Sequence, residues 1–326
     1  MAKTTLEMSV KYRFWVIPLL YASSFIYAAR GKKDFPDMFF RKARCQNRDI
    51  GMIIHSMKGL GDNIYQRAFL KNMSGTIYLD TPWPELVVDL PHVQCVKPQT
   101  HLRTQAKNIA RYTTWLMPPT KQPARHIRYG TEGIIPGMIA SFGVMPGAFD
   151  LPPLPPSPET GKYVVVRPAT VRSEWRADTR NPAPDYLVVA AANAKARGYK
   201  VVSVADLVEG VEWIVGDTPY ADVQYHKGEL PVEQLLSLVA NASAVIGGIG
   251  WLVPAALSAK VPAWIICGGQ GGFNAPELIC PAESTITFAV PDNFCRCKLK
   301  QHNCDKRISN YDSKLATWAD QYLPVV

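Results

Sequence analysis

No Asp-x-Asp pair occurs anywhere in the 326 residues. Two carboxylates at that spacing commonly hold a hard divalent ion against a diphosphate, so a metal-held phosphate site of that kind is not expected. The uncharged segment Phe14–Ala29 is 16 residues long and contains Pro18, short of the roughly 20 apolar residues that span a bilayer. Lys11 and Arg13 precede it, as in a signal peptide, but Tyr27 stands where cleavage after Ala29 would need a small residue. A helix packed on the protein, an interfacial membrane helix, and a signal or anchor all fit this segment. Seven cysteines are an odd number for so long a chain, which argues against a secreted disulfide framework. Acidic residues are missing altogether from Pro91 to Gly130.

What is present is globular. Hydrophobic residues make up 47% and charged residues 19%, enough apolar side chains for packed cores and too many for a disordered chain. The length suits two domains of ordinary size. The net charge of +9 lies in the first half: residues 1–150 carry 20 Lys and Arg against 10 Asp and Glu. Arg30 to Arg48 holds seven basic residues against Asp34 and Asp37, and Pro91 to Gly130 holds seven more. This is either a solvated basic face or a surface for a polyanion: a phosphorylated glycolipid, a membrane or a nucleic acid.

Residues 1–48 form an N-terminal extension without a strand pattern. Asp49–Ser56 is a short apolar run ending near a glycine turn, as in strands buried on both faces of a parallel sheet. Ile64, Ala68, Phe69 and Met73 then follow at helical spacing, which predicts a helix from Asp62 to Met73. Strands are expected at 76–79 and 93–96, and a helix over 100–116. Residues 151–160 open with Leu-Pro-Pro-Leu-Pro-Pro-Ser-Pro, a rigid extended linker. The alternation restarts beyond it. Strands are expected at 163–167, 200–204, 244–246 and 263–266, and helices at 185–197, 232–240 and 251–259. A last segment, 291–326, carries cysteines and a helix. The expectation is an α/β chain of two Rossmann-like domains, 49–150 and 161–290, with parallel sheets facing across a cleft.

Four constellations carry chemistry. Gly59-Leu60-Gly61-Asp62-Asn63 follows the first strand, where glycines let the backbone turn and approach a ligand. Asp62 suits a helix cap, worth about 1 kcal/mol, or a general base that takes a proton from a hydroxyl. His55, Lys58, Gly59, Gly61 and Asn63 would line the same side as Asp62. Second, Arg167, Thr170, Arg172, Arg176 and Arg180 follow the first strand of the second half, a density suited to a diphosphate or to surface pairing with Glu174 and Asp178. Third, Gly247, Gly248, Gly250 and Trp251 form a glycine turn at a helix start, able to cradle phosphate through backbone amides. Gly268 and Gly269 open a second glycine loop that either walls a ligand pocket or is a plain turn. Fourth, Cys280, Cys295, Cys297 and Cys304, with His302 nearby, offer ligands for a structural Zn²⁺, a disulfide pair, or ordinary thiols.

Residues 49–73 resemble the opening of the heptosyltransferase family, glycosyltransferase family 9, where a strand runs into a Gly-Asp loop and a helix. Glu229 to Gly269 is also similar to that family, through the turn Gly247-Gly248, the helix with Ala255-Ala256-Leu257, and Val261-Pro262 before a strand ending in glycine. The resemblance spans roughly 49–290. It implies a GT-B architecture, with the acceptor held by the first domain and a nucleotide-diphosphate sugar by the second. It also implies Asp62 as the base, inversion at the anomeric carbon, and a basic residue neutralising the leaving diphosphate. The family's Asp-Ser-Gly stretch and His are replaced here by Ile249-Gly250-Trp251 and Pro254. Without an Asp-x-Asp motif, arginines and helix dipoles would stabilise the leaving group and no cofactor would be needed.

The expected function is therefore transfer of a hexosyl or heptosyl unit to an acceptor hydroxyl. The acceptor would be a glycolipid or lipopolysaccharide-type glycan, the location cytoplasmic, with peripheral membrane contact through residues 14–48. Rival readings are transfer to hydroxylated bases of DNA, a GT-B sugar-nucleotide epimerase, and a non-catalytic sugar-nucleotide or glycan-binding protein.

Overall fold

A computed structural model describes residues 51–117, 122–282 and 284–326. The expectations for residues 14–48 lie outside the described residues. Among the described residues no helix is long and apolar enough to cross a membrane.

The chain begins with β1 (Met52–His55), α1 (Leu60–Leu70), β2 (Ile77–Asp80), β3 (Val93–Val96), α2 (Arg103–Ile109), β4 (Ala124–His126) and α3 (Ile134–Phe142). After the proline-rich segment come β5 (Tyr163–Val166), β6 (Thr170–Arg172), α4 (Pro184–Ala196), β7 (Lys200–Val204), β8 (Glu212–Ile214), β9 (Val223–Tyr225) and α5 (Val232–Ala240). The chain ends with β10 (Ala244–Gly248), α6 (Leu252–Ala259), β11 (Ala263–Ile266), α7 (Gly271–Asn274), α8 (Pro276–Ile279), β12 (Ile286–Ala289) and α9 (Tyr311–Tyr322). One parallel sheet has the order β3-β2-β1-β4 and a second β12-β11-β10-β5-β7-β9.

The second sheet shows why its strands read as solid apolar runs. All four residues of β5 are buried, because side chains on both pleat faces meet helices. Val165, Val202, Val245 and Ile265 face one core, shared with Ile64, Phe69 and Leu252. Val164, Val166, Val201 and Ile246 face another, covered by Leu187, Ala191, Leu315 and Trp318 of α4 and α9. The C-terminal helix therefore closes the outer face of the second sheet.

Two expectations are corrected. The helix over 100–116 stops at Ile109. Thr113 and Thr114 are β-branched, and the chain returns as an extended segment in which Leu116 bridges to Val96. No strand was expected between 167 and 200, yet Thr170–Arg172 is a strand paired antiparallel with Glu212–Ile214.

Arg67 ties α1 to the start of the proline-rich segment. Its side chain is 3% exposed, and it donates to both oxygens of Asp89 at 2.6 and 2.8 Å, to Asp150 at 3.0 Å and to the Leu86 carbonyl at 2.9 Å. Arg67→Ala is expected to lower unfolding free energy in urea by about 2–3 kcal/mol, since it strips a buried guanidinium while the aspartates regain water.

Candidate active site between the two sheets

Both sheets run parallel, so the C-terminal ends of their strands and the N-termini of the following helices converge on one cavity of about 770 Å³. From the first sheet it takes Lys58, Gly59, Gly61 and Asp62, and from the second Arg167, Arg172, Arg180, Asp206 and Gly250. The starts of α1 and α6 meet there. A Cβ on Gly61 would lie 3.0 Å from the Trp251 Cα and 3.3 Å from the Pro254 ring, so glycine permits this approach. Two helix N-termini thus direct positive dipole ends at the same space.

The loop before α1 is built from its own helix. Asn63 donates to the carbonyls of Met57 and Gly59 and accepts from Thr81. Gln66, fully buried, donates to the Met57 carbonyl at 3.0 Å and accepts from the Met57 amide at 3.3 Å. Asn63 therefore faces the loop backbone, not an acceptor, which corrects its expected place. Lys58 remains at the cavity, its Nζ 2.7 Å from the Gln99 carbonyl and 3.5 Å from Asp80. His55 does not line the cavity. It bonds Asp80 at 3.1 Å and stacks on His126 at 4.5 Å.

Asp62 occupies the third position of α1, where its carboxylate accepts from the Gly59 backbone N–H. That is the return half of a capping box, with glycine at the cap itself. The same carboxyl opens onto the cavity while protein excludes bulk water from most of its surroundings. Burial pushes its pKa up from 3.8 to about 6, opposed by the Arg180 charge and the Gly59 N–H. Cap and base are thus compatible roles for one side chain.

Arg180 is the cation that faces Asp62. Burial lowers its pKa, and its neighbours are Tyr129, Arg172 and Asp62. Its Nε is buried without a hydrogen-bond partner. Arg167 is held down to about 10, by burial first and then by Arg172. Arg172 is held by Glu212 at 2.8 Å, and Thr170 donates to the same carboxylate at 3.0 Å. Arg176 turns away from the cavity and pairs with Asp178 at the surface.

The glycines divide in the same way. Gly250 and Trp251 line the cavity. Gly247 packs on Leu252 and Arg167, and Gly248 on Pro182. Gly268 and Gly269 lie against the backbone of Arg180–Asn181 and the Cys304 side chain, with the Gly269 N–H donating to the Thr179 carbonyl at 2.6 Å. They support the chain behind Arg180 instead of walling the pocket. Tyr129 is a site residue that the sequence did not suggest. Burial, then the Asp62 charge, pushes its hydroxyl up to about 12, leaving it a neutral donor beside Asp62 and Arg180. Nothing local marks it, since it lies in a coil between β4 and α3.

No protein-family model matches the sequence, and no curated protein matches it. Among solved structures, the chain is similar to the dodecameric iron-containing heptosyltransferase TibC in complex with ADP-D-β-D-heptose. The TM-score is 0.50 at 16% identity, covering 79% of this chain and 64% of that one. The fold is GT-B. A second TibC structure, from enterotoxigenic E. coli H10407, gives a TM-score of 0.49 at 16% identity over 67% of this chain and 58% of that one. E. coli heptosyltransferase WaaC with ADP gives 0.47 at 10% identity over 85% and 100%. The chain thus spans about three fifths of the TibC chains it matches, 58% and 64%.

Proposed function

We propose that the protein is a glycosyltransferase that moves a sugar from a nucleotide-diphosphate sugar to an acceptor hydroxyl. The observation that carries this reading is that the half-buried Asp62 carboxyl, with its raised pKa, shares the cavity between the two sheets with the Arg180 guanidinium, whose Nε is buried without a hydrogen-bond partner. Asp62, as carboxylate, removes the proton from the acceptor oxygen as that oxygen attacks the anomeric carbon. The bond from that carbon to the diphosphate breaks as the new bond forms, in one inverting displacement. Arg180, Arg167 and the α6 N-terminus carry the charge that builds on the departing diphosphate. No step needs a metal ion.

The donor reading is supported by the ADP-heptose held by the structurally similar TibC. Donor and acceptor enter from opposite sheets, which agrees with a glycan or glycolipid acceptor reaching Asp62 from the first. The reading keeps the enzyme in the cytoplasm, with membrane contact assigned to residues 14–48. Arg103 and Lys107, from the acid-free stretch, are engaged across the cleft, Arg103 with Asp206 at 2.9 Å and Glu212 at 3.2 Å, and Lys107 with Asp206 at 3.5 Å. They close one side of the cavity and are not a free track for DNA.

A thermal-shift panel of nucleotide-diphosphate sugars, ADP-heptose included, tests the proposal. One donor is expected to raise Tm with the logarithm of its concentration above Kd, about 2.7 kcal/mol of stabilisation at a hundredfold excess over Kd. A flat response to every sugar nucleotide rejects it.

A further inference from the structure

Cys295, Cys297, His302 and Cys304 bring their ligand atoms within 4.8 Å of one another. The pairs Cys295/Cys297 and His302/Cys304 are each separated by one residue, so in extended backbone both members project to the same side. Two of the ligand-atom separations match the edges of a tetrahedron. Zn–S bonds of about 2.3 Å and Zn–N bonds of about 2.0–2.1 Å imply S–S edges near 3.8 Å and S–N edges near 3.6 Å. Cys297 Sγ and Cys304 Sγ are 3.7 Å apart, and Cys295 Sγ and His302 Nδ1 are 3.6 Å apart. A third separation, His302 Nδ1 to Cys304 Sγ, is 3.1 Å, shorter than such an edge. A disulfide would need the sulfurs at about 2.05 Å, and all four described C-terminal cysteines are free thiols. Cys280 is not part of the group. Its thiol lies against Ser284, so His302 takes the fourth place that Cys280 was expected to fill.

We infer that these four residues bind a single tetrahedral divalent ion, a three-thiolate, one-imidazole site suited to zinc. Four protein ligands leave no open position, so the ion is structural. Three thiolates and one imidazole around a dication leave one net negative charge. The same loop carries Lys298, Lys300 and Lys306, while Arg296 pairs with Glu277 and Arg307 with Asp292.

The site has a mechanical consequence. Its loop is stitched to the backbone behind the cavity: Gly271 N–H donates to the Cys295 carbonyl at 2.9 Å and Gly272 N–H to the Cys297 carbonyl at 3.1 Å. Thr179 N–H donates to the Lys300 carbonyl at 3.1 Å, and Lys306 Nζ to the Asp178 carbonyl at 3.3 Å. The ion therefore pins the segment that presents Arg180. This second clause rests on the proposed function; the metal site does not.

Elemental analysis of the full-length protein, purified under reducing conditions and again after incubation with Zn²⁺, tests the site. One equivalent of zinc per chain is expected, retained by Cys95→Ser and lost from His302→Ala and Cys297→Ser. Stoichiometric iron that the same two substitutions release supports the same ligand set. Co²⁺ in the wild-type protein should give the absorption of a tetrahedral thiolate complex, which holds the test open if a cysteine variant does not fold. Absence of metal in both preparations, a Cys297–Cys304 disulfide, or metal kept by both substitutions overturns the inference. Metal-free protein should also melt at lower temperature and bind the donor more weakly. Unchanged donor affinity, with the metal site confirmed, would overturn the pinning of Arg180 alone.

Discussion

Asp62→Asn is expected to cut sugar transfer by about 10²–10⁴-fold, the usual contribution of a positioned general base. Asparagine keeps the shape and can still accept from the Gly59 N–H, so the start of α1 should survive. Only the ability to take a proton is lost. The pH profile provides the second half of the prediction. A carboxyl with a pKa of about 6 is largely protonated below that pH, so kcat/KM should fall on the acid side through about 6 instead of the usual carboxylate range. In stability the sign is opposite. The folded pKa lies above the unfolded value, so the stabilising contribution of the protonated form is lost as pH rises through about 6. Asp62→Asn should therefore be no less stable than wild type at pH 8. Near-wild-type turnover in the variant, or a flat kcat/KM profile between pH 5 and 7, would remove Asp62 from the chemistry.

The parallel sheets were legible because β5 and β10 are buried at every position and β7 at all but its first, so these strands carry few polar side chains. β4 was not, since Ala124-Arg125-His126 is an exposed edge whose identity depends on pairing with β1. The helix α3 was hidden by Pro136 and Gly137, which local propensity reads as a break. At the site, Gly59–Asp62 was visible because a glycine turn at a strand end has few uses. The choice among five candidates near Arg167–Arg180 was not. Arg176 and Arg180 are four residues apart, and their fates diverge only because a short 3₁₀ turn at Asp178–Arg180 turns one inward and leaves the other paired with Asp178. Gln66 and Tyr129 were missed for a related reason. Each gains its role from a partner distant in sequence or from a fold of the loop that no spacing encodes. Ile249 and Pro254, where the resembling family carries polar residues, line the cavity as apolar groups. Under the proposed function, a donor at that wall would draw its polar contacts from backbone amides and from side chains opposite, the arginines among them.

That shift of work makes Arg180 the second large effect. Arg180→Ala is expected to reduce transfer by about 10²–10³-fold, the range for removing one preorganised stabiliser of developing negative charge. Arg176→Ala, at an exposed pair, should stay close to wild type. Arg180→Lys should recover part of the loss, because a point charge persists while the guanidinium's planar fork does not. A merely structural arginine would not alter the titration of Asp62, whereas this one should. Its positive charge holds the Asp62 pKa down against burial. Removing it should move the acid limb of kcat/KM upward from about 6, and Arg180→Lys should move it less. The same electrostatics makes the two residues interdependent. In Asp62→Asn the proton no longer has a destination, so adding Arg180→Ala should cost far less than the product of the single effects. Strictly multiplicative losses, with an unshifted acid limb in Arg180→Ala, would mean that the two side chains act at separate sites.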